Sequence, residues 1–206
     1  MRFPGARILV FAKPPIPGRC KTRLIPSIGE EAAAALHARL VKHTLTTTTQ
    51  SGLCPVELYC VDCEHPFFGA CQQGFPVTLQ VQHGADLGER MLNAFAATLT
   101  HASPVILVGT DCPCLTETDL QTALNVLSKG YDCVLKPAED GGYVLIGLNR
   151  VNAAIFQGLH WGSDTVLEAT RSRLMALGWR WHELATTWDL DRPADLDKLK
   201  QLGWQF

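Results

Sequence analysis

The chain has 206 residues, 47% of them hydrophobic, and its 18 basic and 20 acidic residues give a formal net charge of -2. A duplex-binding protein normally carries a basic face, and the sequence has no run of five like charges, so we expect no nucleic-acid partner. No apolar stretch reaches the length of a membrane span, and the apolar run near the amino terminus is too short for a signal peptide. The composition therefore predicts a cytoplasmic protein with no membrane partner, folded as a single domain over residues 1–206.

Short β-rich runs alternate with helical patterns along most of the chain, which is typical of βαβ units and a mainly parallel sheet. Apolar residues spaced three and four apart predict helices over 87–99, 120–127 and 166–177. The alanine-rich stretch predicts a further helix over 30–49, and two aspartates suited to a first turn mark a last helix near residue 195. The glycine turn DGGY, residues 140–143, joins two strands without a helix, so the sheet should turn antiparallel there. The expected fold is α/β, a mainly parallel Rossmann-like sheet flanked by helices with an antiparallel part. The predicted strands are 7–12, 56–61, 77–81, 104–109, 132–136, 142–148 and 179–184.

The loop after the first strand, FAKPPIPGRCKTRL at 11–24, carries four cations on a backbone stiffened by three prolines. It is not a Walker A loop, because Cys20 stands where a glycine must precede the Lys-Thr pair, and no G-x-G-x-x-G follows the strand. Ligands of open α/β sheets bind beyond the carboxyl ends of strands, and a stiff loop loses less entropy on binding. Arginine forks and lysine ammonium groups suit phosphate oxygens, although a solvated surface loop is the alternative. The candidate nucleotide and phosphate ligands are Lys13, Arg19, Lys21, Thr22 and Arg23.

Three aspartates are candidate metal ligands. Asp111 follows a buried strand in the motif GTDCP. An equally simple interpretation is that Asp111 is a turn residue whose side chain bonds only to its own backbone. Asp189 and Asp191 alternate in the extended segment WDLDRP and therefore project to one side. Magnesium binds a few carboxylates and completes its octahedron with water and substrate phosphates, so the three could converge on one ion.

The DGGY turn is a candidate substrate contact. Its glycines, Gly141 and Gly142, allow a ligand to approach the backbone closely, and Asp140 can accept hydrogen bonds from hydroxyl groups, with Tyr143 beside them. A plain hairpin turn explains the same residues almost equally well.

The eight cysteines are expected to be reduced thiols in the cytoplasm. Cys60 and Cys63 form a C-x-x-C and Cys112 and Cys114 a C-x-C, but a zinc ribbon usually has two matched C-x-x-C pairs at longer spacing. Buried or incidental cysteines are therefore favoured over a zinc or thiol-active protein.

Six motifs in order span nearly the whole chain: FAKPPIPGRCKTRL, QHGADLGERM, VGTDCPCL, LKPAEDGGYVLIGL, HWGSDTVLEAT and WDLDRPADL. Together they resemble the small GT-A-type transferases often named after radical-SAM or arsenosugar-biosynthesis clusters, which are relatives of molybdenum-cofactor and 2-phospholactate nucleotidyltransferases. The resemblance implies a GT-A (nucleotide-diphospho-sugar transferase) fold, with Mg²⁺ or Mn²⁺ held by Asp111, Asp189 and Asp191. It also implies that the cations of the early loop hold phosphates and that Lys21 and Asp111 act in catalysis. The loop departs from the related pyrophosphorylases, whose loop is glycine-rich with a single arginine.

The expected function is a metal-dependent transferase that uses a nucleotide or nucleotide-sugar donor and a small-molecule acceptor. In glycosyl transfer a nucleoside diphosphate leaves, whereas in nucleotidyl transfer an acceptor phosphate attacks a triphosphate and pyrophosphate leaves. The family resemblance favours a glycosyltransferase, but four cations suit a triphosphate equally well, so both versions stay open. A nucleotide-binding module without turnover is a further alternative, although such a module would be expected to lose the metal acids.

Overall fold

The computed structural model describes residues 1–206, and all seven strands belong to one sheet. The strands are β1 (Arg7–Ala12), β2 (Val56–Cys60), β3 (Val77–Val81), β4 (Val105–Val108), β5 (Cys133–Pro137), β6 (Tyr143–Leu148) and β7 (Trp181–Glu183). Their order across the sheet is β3-β2-β1-β4-β6-β5-β7. Strand β6 runs antiparallel to both neighbours, while every other pairing is parallel. The predicted fold class is confirmed, including the change of direction at the DGGY turn.

Seven helices accompany the sheet: α1 (Ile25–Ile28), α2 (Glu30–Gln50), α3 (Pro66–Gly74), α4 (Leu87–Thr98), α5 (Glu117–Ser128), α6 (Val166–Ala176) and α7 (Asp195–Gln201). The sequence predicted all of them except α1 and α3. Helix α3 is short and buries only Phe68 and Cys71, so its periodic signal is weak. Its start is nevertheless marked by Pro66 in the first turn and by the His65 ring, which accepts a hydrogen bond from the Phe67 N–H at 3.3 Å. No helix combines the length and the apolar character that a membrane crossing requires.

Apolar side chains cover both faces of the sheet. In β1, Ile8 and Val10 point to a cluster that includes residues of α2, α3 and α5, whereas Leu9 and Phe11 point to a cluster with residues of α4 and α6. This two-sided burial explains why the central strands are continuously apolar instead of alternating. Because β1 and β4 are parallel and pair Val10 with Val108, the loops that follow them lie at the same edge of the sheet.

The sheet leaves no room for a side chain at Gly147 of β6. A Cβ atom there would lie 2.6 Å from Val134 Cγ1 and 2.9 Å from Leu127 Cδ1. We expect Gly147→Ala to lower the free energy of unfolding by about 1–3 kcal/mol through overpacking. The matched variant Gly69→Ala, in α3 with no atom within 4 Å of the added methyl, should raise it by about 0.5–1 kcal/mol because alanine favours the helix. Urea denaturation measures both, and equal effects would contradict this packing.

Candidate functional site

The cationic loop between β1 and α1 has a defined backbone. The Arg19 N–H donates to the Ile16 carbonyl at 3.0 Å, and the Leu24 N–H donates to the Lys21 carbonyl at 2.9 Å. Gly18 has a φ of +75°, and a Cβ atom there would lie 3.2 Å from a carboxylate oxygen of Glu30, so the position suits glycine. Lys21 itself is left-handed, with a φ of 49°, which is uncommon for a residue with a side chain.

The Lys21 side chain joins three separate parts of the chain. It is only 5% exposed, and its Nζ lies 2.7 Å from Asp111 Oδ1, in the loop after β4. The same ammonium donates a hydrogen bond to the Leu190 carbonyl, and the Leu190 N–H donates to the Asp111 carbonyl at 2.8 Å. The loops after β1 and β4 and the WDLD segment therefore meet at one point.

A cavity of about 650 Å³ opens beside this junction and is here called the basic compartment. Five cationic side chains and three carboxylates line it, so cations are in excess and the cavity suits a polyanionic ligand. Arg90 of α4 is one of the five and is oriented by a hydrogen bond from its Nε to the Gly84 carbonyl at 3.0 Å. The structure thus places all of the predicted phosphate ligands around one space. The basic lining residues are Lys13, Arg19, Lys21, Arg23 and Arg90, and Thr22 also lines the cavity.

Among the polar residues of the basic compartment that were not predicted from the sequence are His37 and Gln82. His37 Nε2 lies 3.0 Å from the Lys13 carbonyl, while its Nδ1 lies 4.0 Å from Asp111 Oδ1 and has no hydrogen-bond partner. Burial lowers the pKa of His37, so the neutral ring donates from Nε2 to the Lys13 carbonyl. A histidine on the buried stripe of α2 was the available signal.

Gln82 is held by hydrogen bonds from its Nε2 to the Tyr59 carbonyl at 2.8 Å and to the Ala12 carbonyl at 3.2 Å. It follows β3 directly and therefore lies at the same edge of the sheet as the cationic loop. Its position after a strand was the signal that could have identified it.

A second cavity, of about 300 Å³, lies next to the first and is here called the apolar compartment, because 12 of its 21 lining residues are hydrophobic. Asp111 and Asp191 line both compartments and so mark the junction between them. Asp189 and Asp140 line the apolar compartment. The three predicted metal ligands are therefore brought together, and a fourth carboxylate lies with them.

Of the predicted substrate contacts, Asp140, Gly142 and Tyr143 line the apolar compartment, and Gly141 does not. Gly141 instead supports the neighbouring segment, since a Cβ atom there would lie 2.1 Å from the Asp164 carbonyl oxygen. Its own carbonyl accepts a hydrogen bond from the Leu167 N–H at 2.9 Å. The turn thus docks the start of α6 against the compartment.

The carboxylates differ in their electrostatic surroundings. Burial raises the pKa of Asp189 to about 6, and the neighbouring charges of Asp140 and Asp111 add to this effect. Burial would also raise the pKa of Asp111, but the adjacent ammonium group of Lys21 outweighs it and holds that pKa below its usual value. Asp191 forms an ion pair with Arg23. Asp189 is therefore the carboxylate whose negative charge is least compensated.

No three acidic, histidine or cysteine side chains are arranged as a ready metal site, and Asp111 and Asp191 instead pair with Lys21 and Arg23. The eight cysteines are free thiols. Burial raises the pKa of Cys112 to about 11, which keeps this thiol protonated at neutral pH.

Solved structures share this architecture. The chain is 31% identical to a protein of Desulfovibrio desulfuricans G20 described as a nucleotide-diphospho-sugar transferase, with a TM-score of 0.88 over 97% of this chain and 88% of the other. A synthetase of CMP-2-keto-3-deoxy-manno-octonic acid, solved with CTP, is 15% identical with a TM-score of 0.62 over 96% and 98% of the two chains. Rv0371c of Mycobacterium tuberculosis H37Rv, solved with manganese, is 17% identical with a TM-score of 0.57 over 97% and 99%.

No curated protein sequence matches the chain. The fold is that of the nucleotide-diphospho-sugar transferases, and the structural neighbours support a nucleotide-binding transferase that acts as a glycosyl- or nucleotidyltransferase. Residues 44–163, more than half of the chain, match the family described as uncharacterized proteins conserved in bacteria (DUF2064). The chain therefore belongs to the DUF2064 family.

Proposed function

We propose that the protein is a divalent-metal-dependent glycosyltransferase that binds a nucleoside-diphospho-sugar and transfers its sugar to a small acceptor. The observation that carries the proposal is the junction of the two compartments. There Asp111, in contact with the buried Lys21, lies between a cavity rich in cations and a cavity that contains three further carboxylates. A diphosphate in the first cavity would extend its sugar towards the second.

The carboxylates at the junction are the kind of donor that suits Mg²⁺ or Mn²⁺, although Asp111 and Asp191 are paired with cations instead of being arranged as a ready metal site. Carboxylate oxygens are the ligands that these ions take, and the pKa of Asp189 is raised by burial and, to a smaller extent, by the negative charges of Asp140 and Asp111. In this proposal Asp111, Asp189 and Asp191 hold the ion. Arg23 leaves its ion pair with Asp191 and binds a phosphate of the donor instead. The manganese in Rv0371c supports this choice of ion class. When bound, the ion would supply positive charge to the oxygens of the leaving diphosphate.

The chain's own cations have separate roles. Lys13, Arg19 and Arg90 line the basic compartment without lining the apolar one, so they can bind the phosphates without reaching the acceptor. Lys21 is fixed by Asp111 and Leu190, and its fixed charge can stabilise the charge that develops on the leaving oxygen. His37 holds the Lys13 carbonyl and thereby orients the start of the loop.

Nucleotidyl transfer is the second candidate, and the five cations of the basic compartment favour it because they suit a triphosphate as well as a diphosphate. The CTP bound to the neighbouring synthetase supports it too. The resemblance to GT-A-type transferases of radical-SAM and arsenosugar clusters favours glycosyl transfer. An assay for pyrophosphate separates the two functions. The protein is incubated with each nucleoside triphosphate, Mg²⁺ and phosphorylated acceptors, and release of pyrophosphate would contradict the glycosyl proposal.

Replacement of Asp111 tests the metal site. We expect Asp111→Asn to abolish the part of the thermal shift by a nucleoside diphosphate that depends on Mg²⁺ or Mn²⁺, because an amide carries no charge to hold the ion. Differential scanning fluorimetry with and without the metal measures this shift. Asp197→Asn, which removes an exposed carboxylate of α7, is the matched control and should behave as wild type. An unchanged metal-dependent shift in Asp111→Asn would remove this residue from the site.

Asp189 makes stability depend on pH in metal-free buffer. Because its folded-state pKa is raised to about 6, its stabilising contribution is complete below the unfolded pKa near 4 and is lost as the pH rises through 6. We expect Asp189→Asn to melt about 2–4 °C above wild type at pH 7.5, the shift for roughly 1 kcal/mol in a chain of this size. At pH 4 the two should melt together. Thermal denaturation in a chelating buffer measures the difference, and a difference that is constant across this range would contradict the interpretation.

Arg19 tests the phosphate site. We expect Arg19→Ala to weaken the binding of a nucleoside diphosphate by about tenfold, because a charge-assisted contact to phosphate is lost. Isothermal titration calorimetry gives the dissociation constants. Lys129→Ala, which removes an exposed cation at the end of α5, should leave the affinity unchanged. If both variants bind alike, the basic compartment is not where the phosphates bind.

A further inference from the structure

The apolar compartment has an aromatic wall that the phosphate chemistry does not use. Tyr143 and Trp161 meet edge to face there, with their ring centroids 6.5 Å apart. Trp161 lies tightly against Gly88 of α4, where a Cβ atom would be 2.5 Å from the indole Nε1. Met91 and Val166 also line the space. The wall is therefore built from β6, α4, α6 and the segment before α6, and it suits an apolar body.

One apolar side chain of this wall is left open to solvent. Leu87, the first residue of α4, lines both compartments and is 43% exposed, although it lies inside a cleft. Removing an apolar side chain from water is favourable in proportion to the area covered. A ligand with an apolar part would gain this contribution by covering Leu87.

The charges of the apolar compartment select against an anion. Its charged lining residues are four aspartates and one cation, Arg23, which already pairs with Asp191. The other four cations of the cleft face only the basic compartment. A phosphate or carboxylate placed among the aspartates would meet like charges, which suppresses binding of the wrong partner.

Asp140 is available to receive a proton in this compartment. Its Oδ1 accepts a hydrogen bond from the Gly142 N–H at 2.9 Å, which fixes the carboxylate. Its other oxygen has no partner within the protein, and the residue is exposed towards the cavity. It is also the one aspartate of the four that the metal proposal does not employ.

From these observations we propose that the apolar compartment binds the acceptor and that the acceptor is an uncharged alcohol with an apolar or aromatic body. The identification as an acceptor rests on the proposed glycosyl transfer. In that step the hydroxyl oxygen forms a bond to the anomeric carbon of the nucleoside-diphospho-sugar, and the hydroxyl proton passes to Asp140. The bond from the anomeric carbon to the phosphate oxygen breaks, and its electron pair leaves with the nucleoside diphosphate.

A matched pair of probes tests the proposal, namely 2-phenylethanol and 2-phenylethyl phosphate, which share one body and differ in charge. Saturation-transfer NMR on the full chain reports binding without requiring turnover; the two probes are compared in metal-free buffer, where the aspartates keep their charge, and Mg²⁺ is added together with the nucleoside diphosphate. We expect the alcohol to bind at least about tenfold more tightly than the phosphate ester, and to stay bound when UDP, GDP, CDP or ADP is added. Leu87→Ala should weaken alcohol binding by about three- to tenfold. Leu202→Ala, which trims a leucine that is 49% exposed and lines neither compartment, should not.

The outcomes separate this proposal from the one on which it rests. Tighter or equal binding of the phosphate ester, displacement of the alcohol by the nucleoside diphosphate alone, or equal behaviour of the two leucine variants would overturn the acceptor proposal. The nucleoside diphosphate is monitored in the same samples through its own signals. If it does not bind while the alcohol does, the transferase proposal fails and the compartment keeps its assigned preference for an uncharged apolar ligand. If it binds while the alcohol does not, only the acceptor proposal fails.

Discussion

The buried ammonium of Lys21 holds the candidate site together. It contacts the Asp111 carboxylate and the Leu190 carbonyl, and so connects the loops after β1 and β4 with a segment almost eighty residues further along the chain. A buried charge is tolerated only when its partners are in place, so each member of this contact requires the others. Removing one partner of Lys21 would leave its buried charge uncompensated. We therefore expect the cleft and the segment around Leu190 to become ordered together.

The direction of the strands decides which groups share the cleft. Parallel pairing of β1 with β4 places the cationic loop beside Asp111. Asp140 follows the end of β5 at the same edge, and because β6 is antiparallel it begins there too, which brings in Tyr143. The Gly141 turn then fixes the start of α6 through the Leu167 N–H. A parallel strand in the place of β6 would have put its amino end at the opposite edge, and the apolar compartment would lack Tyr143, the first residue of β6.

The sequence predicted the sheet well because its strands are apolar on both faces and its longer helices have clear periodicity. Helix α3 escaped prediction because only Phe68 and Cys71 form its buried face. The position of the cationic loop beside Asp111 could be predicted, because loops that follow parallel strands lie at the same edge of a sheet. The left-handed backbone of Lys21 could not be predicted, because it depends on tertiary contacts that no local pattern encodes. His37 was missed for a related reason, since a histidine within an alanine-rich helix gains meaning only when the helix is docked against Asp111.

The basic compartment has an excess of positive charge and the apolar compartment an excess of negative charge, so the binding of the donor and the binding of the metal depend on each other. The basic compartment holds cations in excess, while Asp189 lies where burial and two neighbouring carboxylates disfavour its ionised form. A nucleoside diphosphate alone would satisfy the cations and add negative charge next to Asp189, whereas a metal alone would compete with the pairing of Lys21 and Arg23 for the same acids. Only both together neutralise both sides, so each should raise the affinity for the other by the same factor, as linkage requires. An uncharged acceptor leaves this balance undisturbed, which is why its binding can be governed by apolar contact instead of by charge.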